Sequence, residues 1–301
     1  MKLRETLGRY RKQFDNWISV AIRATFGRYP INCVYRKGET KKIAYTRLHL
    51  YWLSLGYEWV DFLPEMGMFK ARFRGRDILF AGGFTGDLAG VFGDEEYASM
   101  DVRGRIVVDV GANVGDSSIY FCLQGARKVI AVEPLAFNCE LIQQNARLNG
   151  FDERIAIIRA ALSYGKATLY VNENHPEKSV GQSAFQEQTT FTRAVPVPSI
   201  ALSSLVEYVA GADGVLKIDC EGCEYDALSV PDLTVLRNFR EIMIEYHDGI
   251  RQLPSILSEI GFNVTVTPRM VTRRGKLVPK PEIGLIHARL GVVRASPTAA
   301  S

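Results

Sequence analysis

Nowhere in its 301 residues does this chain come close to the ~18 consecutive apolar residues that a membrane-spanning helix needs. Its first residues also lack the apolar core and small-residue cleavage site of a secretory signal. Cysteine is sparse: Cys33, Cys122, Cys139, Cys220 and Cys223 make an odd, scattered set without the spacing of a disulfide framework. A reducing cytoplasm is therefore the expected compartment. Cys220 and Cys223 form a single CxxC, with no second such pair and no clustered histidines, so no thiolate metal site is expected. A divalent cation on Asp219 and Glu221 has no support from spacing, and the expected metal content is none. There is no internal repeat.

What is present fits a folded α/β protein. Hydrophobic residues make up 47% and charged residues 23%, enough apolar side chain for a sizeable core. The net charge of +4 is unevenly placed. Residues 1–47 carry twelve Lys/Arg against Glu5, Asp15 and Glu39, and the remainder is slightly acidic. Such a basic arm fits an anionic partner, membrane lipid or nucleic acid, or it is a solvated helix face.

Leu3, Leu7, Tyr10, Phe14, Trp17, Ile18, Ala21 and Ile22 recur at three- and four-residue intervals, which predicts one amphipathic helix ended by Gly27 and Pro30. The stripe packs on its own protein or, over residues 1–26, touches a membrane surface. A second helix is expected over Thr46–Leu55, then a hairpin of Met68–Phe73 with Asp77–Phe80. Residues 1–100 carry no catalytic constellation and read as an accessory region. From Ile106 strands and helices alternate, the mark of a parallel sheet with helices on both faces. Residues 101–290 are the expected catalytic domain, and 291–301 a frayed tail. Within that domain a hairpin of Ala167–Val171 with Ala194–Val197 frames a polar stretch, Asn172–Arg193.

Ile106-Val107-Val108-Asp109-Val110-Gly111-Ala112-Asn113-Val114-Gly115-Asp116 is a buried strand, a glycine turn and a helix start. Gly111 and Gly115 allow the backbone to pass close beneath a ligand. About twenty residues later a second strand ends on Glu133, whose carboxylate can accept hydrogen bonds from ribose hydroxyls. A dinucleotide would need glycine where Asn113 and Asp116 stand, and the Asp116 charge would repel a pyrophosphate. S-adenosylmethionine (SAM) has no phosphate and a cationic sulfonium, so Asp109, Gly111, Asn113, Gly115, Asp116 and Glu133 suit it better.

Two further strands end in polar residues. One runs into Asp219-Cys220-Glu221-Gly222-Cys223-Glu224, the other into Glu245-Tyr246-His247-Asp248. Transfer of a methyl group to a hydroxyl needs a proton acceptor, and Asp219, Glu221 and His247 are the candidates. Glu221 and Glu224 could instead favour a helix N-terminus, and His247 could be a surface histidine.

The run VVDVGANVGDSS, the AVEP at 131–134, Asn138, Leu148-Asn149-Gly150, LKIDCEGCEYDAL at 216–228 and the lead-in Val91–Tyr97 resemble the FkbM-type methyltransferases. The resemblance covers roughly residues 68–248. It implies a class I methyltransferase, Rossmann-like sheet of seven strands with the last antiparallel. It also implies O-methylation of sugars or natural-product hydroxyls, with a glycan, lipid-linked or small-molecule acceptor. The family usually has small apolar residues where Cys220 and Cys223 stand. The basic N-terminal helix lies outside the family pattern. The alternative is an RNA ribose methyltransferase gripping phosphates with that arm.

Overall fold

The computed structural model describes residues 2–36, 41–82, 88–165, 167–171, 193–209, 213–229, 233–273 and 276–291. The chain divides into two units, Met1–Glu95 with Arg147–Asn149, and Glu96–Ala146 with Gly150–Ser301.

In the first unit the single expected helix is broken into Lys2–Gln13 and Trp17–Thr25. The interruption has a local cause. The Asn16 side chain accepts the Val34 N–H (3.0 Å) and donates to the Asn32 carbonyl (2.8 Å), while the Asp15 N–H donates to the Val34 carbonyl. Residues 14–16 thus follow the edge of strand Ile31–Val34, which pairs antiparallel with Lys41–Ala44. The break also turns the apolar stripe. Tyr10, Phe14 and Val20 enter a core with Ile31, Tyr35, Leu50 and Leu53, whereas Leu3, Ile18 and Ile22 remain exposed.

Helix Arg47–Leu55 falls where the sequence predicts it. The Thr46 hydroxyl accepts the His49 N–H, and Gly56 closes the helix in the left-handed region, which costs glycine little. The expected hairpin, Met68–Phe73 with Arg76–Phe80, gains a third strand, Val60–Leu63. Phe69 packs edge-on to Trp52 and Phe62, at 4.7 and 4.9 Å between ring centres. The Asn149 amide exchanges two hydrogen bonds with the Leu79 backbone, which accounts for an asparagine there.

The second unit is built on seven strands: β1 (Ile106–Val110), β2 (Lys128–Val132), β3 (Ile155–Ile158), β4 (Gly214–Ile218), β5 (Phe239–Tyr246), β6 (Phe262–Arg273) and β7 (Lys276–Leu290). Their spatial order is 6-7-5-4-1-2-3. β1 to β5 pair in parallel, and β7 runs antiparallel to both neighbours. This is the seven-stranded class I arrangement expected from the resemblance. The inner strands are continuous apolar runs because a parallel sheet is covered on both faces. Val108, Val110, Ile130, Leu216, Ile218, Ile242 and Ile244 form its core.

Three helices matter for the site: α1 (Asp116–Leu123), α2 (Ala136–Leu148) and α3 (Cys223–Ala227). The hairpin Ala167–Val171 with Arg193–Val197 pairs antiparallel, while 172–192 of the polar stretch lie outside the described residues, as do 292–301 of the tail. Among the described residues no helix is long and apolar enough to cross a membrane.

Candidate active site

The strand order reverses between β1 and β4, so their C-terminal ends face a common crevice. The β1 turn approaches the end of β4 very closely. Gly111 has a positive φ of 73°, and a Cβ added there would lie 1.8 Å from the Asp219 carbonyl oxygen. At Gly115 an added Cβ would come within 3.3 Å of Ile142 on α2. Gly111 is therefore demanded by the protein's own packing, and Gly115 is favoured by its positive φ of 88°. Asn113 also adopts a positive φ, a conformation asparagine tolerates better than most residues.

Beneath the turn lies a buried ion pair. Lys217, in the middle of the apolar β4, places Nζ 3.1 Å from Asp109 Oδ1 and 3.6 Å from Asp219 Oδ2, and donates to the Gly111 and Val110 carbonyls. Burial alone would lower the lysine pKa, but Asp109 and Asp219 outweigh it and raise it. The Asp109 carboxylate also accepts the hydroxyls of Ser117 and Ser118 at 2.7 and 2.6 Å. Asp109, a sequence candidate for cofactor contact, is thus fully buried among protein partners. Asp116, likewise buried, begins α1, where its charge suits the helix dipole.

Glu133, just past β2, accepts the Asn113 N–H on Oε2 (3.0 Å), and the Leu135 N–H and the Asn138 amide on Oε1 (3.0 and 3.1 Å). Burial raises its pKa to about 7, against the lowering effect of those donors and of Lys217. Oε2 takes only the one described donor and has capacity for a hydroxyl of a ribose.

The third group gathers Asp219, Glu221 and His247, as the sequence expects, and adds Glu245. His247 Nε2 lies 3.6 Å from Asp219, 3.7 Å from Glu221 and 4.0 Å from Glu245. Behind it the fully buried Glu224 accepts the His247 N–H and faces Nδ1 at 3.4 Å. Burial would lower the imidazole pKa, but Glu224, Asp219, Glu221 and Glu245 together raise it to about 9. That shift favours the protonated ring at neutral pH, a form that cannot accept a proton. Glu245 is pushed up to about 8 by burial and by Asp219, with Arg269 opposing.

Several participants were not assigned roles from the sequence. Tyr97 is buried and donates its hydroxyl to Asp219 Oδ2 (3.2 Å). Arg269 reaches Glu245 at 3.2 Å and Glu96 at 3.8 Å, from a register shift in β6 just after Pro268. Lys217 was signalled by a lone charge inside an apolar strand. Arg269 and Tyr97 had no such signal.

The loop between β4 and α3 departs from the cysteine expectation. Glu221 and Gly222 take positive φ values of 57° and 123°, folding the chain so that Cys220 and Cys223 form a disulfide, with Cα atoms 5.5 Å apart. Cys33, Cys122 and Cys139 are free.

Comparison with known proteins identifies the family. The FkbM methyltransferase domain profile matches residues 109–264, just over half of the chain and all of the site from the β1 turn to His247. A 64-residue stretch is 36% identical to protein arginine N-methyltransferase 6 of Danio rerio, over 21% of this chain; it spans only 18% of that protein's length. Among solved structures, a methyltransferase FkbM from Methylobacillus flagellatus KT is similar at 16% identity and TM-score 0.39, over 62% of this chain and 43% of that one. The magnesium protoporphyrin IX methyltransferase of Synechocystis PCC 6803, with bound SAM, is similar at 12% identity and TM-score 0.37, over 66% and 76%. The chain belongs to the FkbM methyltransferase family and carries its SAM-dependent methyltransferase domain.

Proposed function

We propose that the chain transfers a methyl group from SAM to a hydroxyl oxygen of a sugar, glycan, lipid-linked or small-molecule acceptor. The observation that carries this reading is the carboxylate cluster at the ends of β4 and β5, set beside the glycine turn. SAM supplies an electrophilic methyl on a cationic sulfonium. Glu133 would hold its ribose through Oε2, and the Gly111–Gly115 turn would lie beneath it. Asp219, fixed by Tyr97 and Lys217 on Oδ2, keeps Oδ1 toward the crevice. Asp219 or Glu221 would take the acceptor's hydroxyl proton as that oxygen bonds to the methyl carbon. The carbon–sulfur bond breaks with its electron pair going to sulfur, giving a methyl ether and S-adenosylhomocysteine.

An RNA acceptor is the weaker reading. The cations there, Lys217, His247 and Arg269, already face carboxylates of Asp219, Glu221, Glu224, Glu245 and Glu96, an arrangement that disfavours a phosphate backbone. The strand end at Asp219 also lacks the Asn/Asp-Pro-Pro-aromatic run that holds a base amine. The test is transfer of labelled methyl from SAM into fractionated cell extract. Label in the glycan, lipid or small-molecule fraction supports the proposal, and label confined to RNA or protein overturns it.

A further inference from the structure

Three side chains converge at the ends of β4 and β5, with His247 at ion-pair distance from both carboxylates. Asp219, Glu245 and His247 each offer a ligand atom, and these atoms all lie within 4.8 Å of one another. The separations from His247 Nε2, 3.6 Å to Asp219 Oδ1 and 4.0 Å to Glu245 Oε1, exceed hydrogen-bond length. They are close to the spacing of atoms around a metal ion, where bonds of about 2.1 Å put neighbouring ligands about 3 Å apart and opposite ones about 4.2 Å apart. An ion would draw the three atoms inward, by up to about an ångström where two of them become neighbours in the shell.

A second, independent feature is that each ligand is held from behind. Glu224, fully buried, faces His247 Nδ1 and also accepts the His247 and Gly222 N–H groups. A carboxylate only accepts, so Nδ1 carries a hydrogen toward Glu224, and Nε2, once its own proton is displaced, presents its lone pair to Asp219 and Glu245. That is the carboxylate–histidine arrangement that orients metal-ligating histidines. Asp219 is fixed through Oδ2 by Tyr97 and Lys217, leaving Oδ1 to the gap. Arg269 holds Glu245 Oε1 from outside, and a carboxylate oxygen has room for a second partner. Glu96, Glu221 and Glu224 add negative charge around the same point.

We propose that Asp219, Glu245 and His247 bind one divalent first-row transition-metal ion, Mn2+ or Zn2+, with open positions toward the crevice. One nitrogen and two oxygens suit these ions better than Mg2+ or Ca2+, which prefer oxygen alone. The ion takes the place of the Nε2 proton. Its catalytic use rests on the O-methylation reading: coordinating the acceptor hydroxyl would lower its pKa and fix the oxygen in line with the methyl group. The proton would then leave to Glu221.

The test uses the full chain, stripped with chelator and dialysed. Titration with MnCl2, read as loss of the free Mn2+ paramagnetic resonance signal, should show one ion bound per chain. Mn2+ or Zn2+ should also raise the melting temperature of the unaltered protein, a readout that needs no variant. Glu245→Gln and His247→Gln should each weaken binding at least tenfold, while Asp248→Asn, on the exposed surface nearby, should not. No binding at millimolar Mn2+ or Zn2+, or binding indifferent to both ligand variants, would overturn the site. Methyl transfer at full rate in metal-free protein would defeat the metal's role and leave O-methylation standing. Bound metal with no hydroxyl acceptor methylated would do the reverse.

Discussion

Lys217 Nζ stands 3.1 Å from Asp109 Oδ1, with both side chains shielded from water on adjacent central strands. This pair ties β1 to β4 directly beneath the turn that faces the crevice. Lys217→Met would leave Asp109 charged and unpaired in the interior, a loss of about 3–5 kcal/mol. Urea denaturation should show that decrease, and adding Asp109→Asn should recover part of it. A Lys217→Met protein as stable as the parent would mean that the pair is not charged.

Cofactor affinity should depend on Glu133. Glu133→Ala removes an acceptor for ribose and should weaken SAM binding by about 1–3 kcal/mol, measured by calorimetry. Tight NADH binding with no affinity for SAM would refute the assignment of the turn.

The same residue gives a pH signature in the cofactor-free protein. Burial raises Glu133 from its ordinary 4.5 to about 7, so across that window the folded state holds a proton the unfolded chain has released. Its contribution to stability is full below about 4.5 and is lost as pH rises through 7. Glu133→Gln cannot titrate. The melting temperature of the parent should therefore fall relative to the variant between pH 5 and pH 8. A constant difference across that range would show that Glu133 does not titrate there.

Asp219→Asn keeps the shape of the side chain but loses the charge that we propose faces the acceptor. Turnover should drop by ~10²-fold or more, with folding retained in the circular dichroism spectrum. Normal turnover would shift the proton-accepting role to Glu221.

In the first unit Phe14 is fully buried at the point where the N-terminal helix breaks. Phe14→Ala should destabilise that unit by about 3–5 kcal/mol, seen as an earlier thermal transition. Ile18→Ala, on the exposed face, should change little, within about 0.5 kcal/mol.

The sequence by itself determined the sheet, the glycine turn after β1 and the acids at the strand ends. Those features are local: apolar runs of five residues bounded by glycine turns, and carboxylates placed where a strand stops. Asp219, Glu221 and His247 meet because every parallel strand ends on the same side of the sheet, which the alternation of elements already implies. The N-terminal stripe misled because three- and four-residue spacing cannot register the side chain of Asn16 leaving the helix to bond Val34. Tertiary structure alone decided that Asp109 faces Lys217 and the serines, that Gly111 is required by the Asp219 backbone, and that Cys220 meets Cys223. It also brought Tyr97 and Arg269 to the acids. Each of these depends on distances between segments remote in the chain or on a loop's backbone angles. The charge state of His247 belongs with them, because burial and four carboxylates set it together, and no single stretch of sequence contains them all.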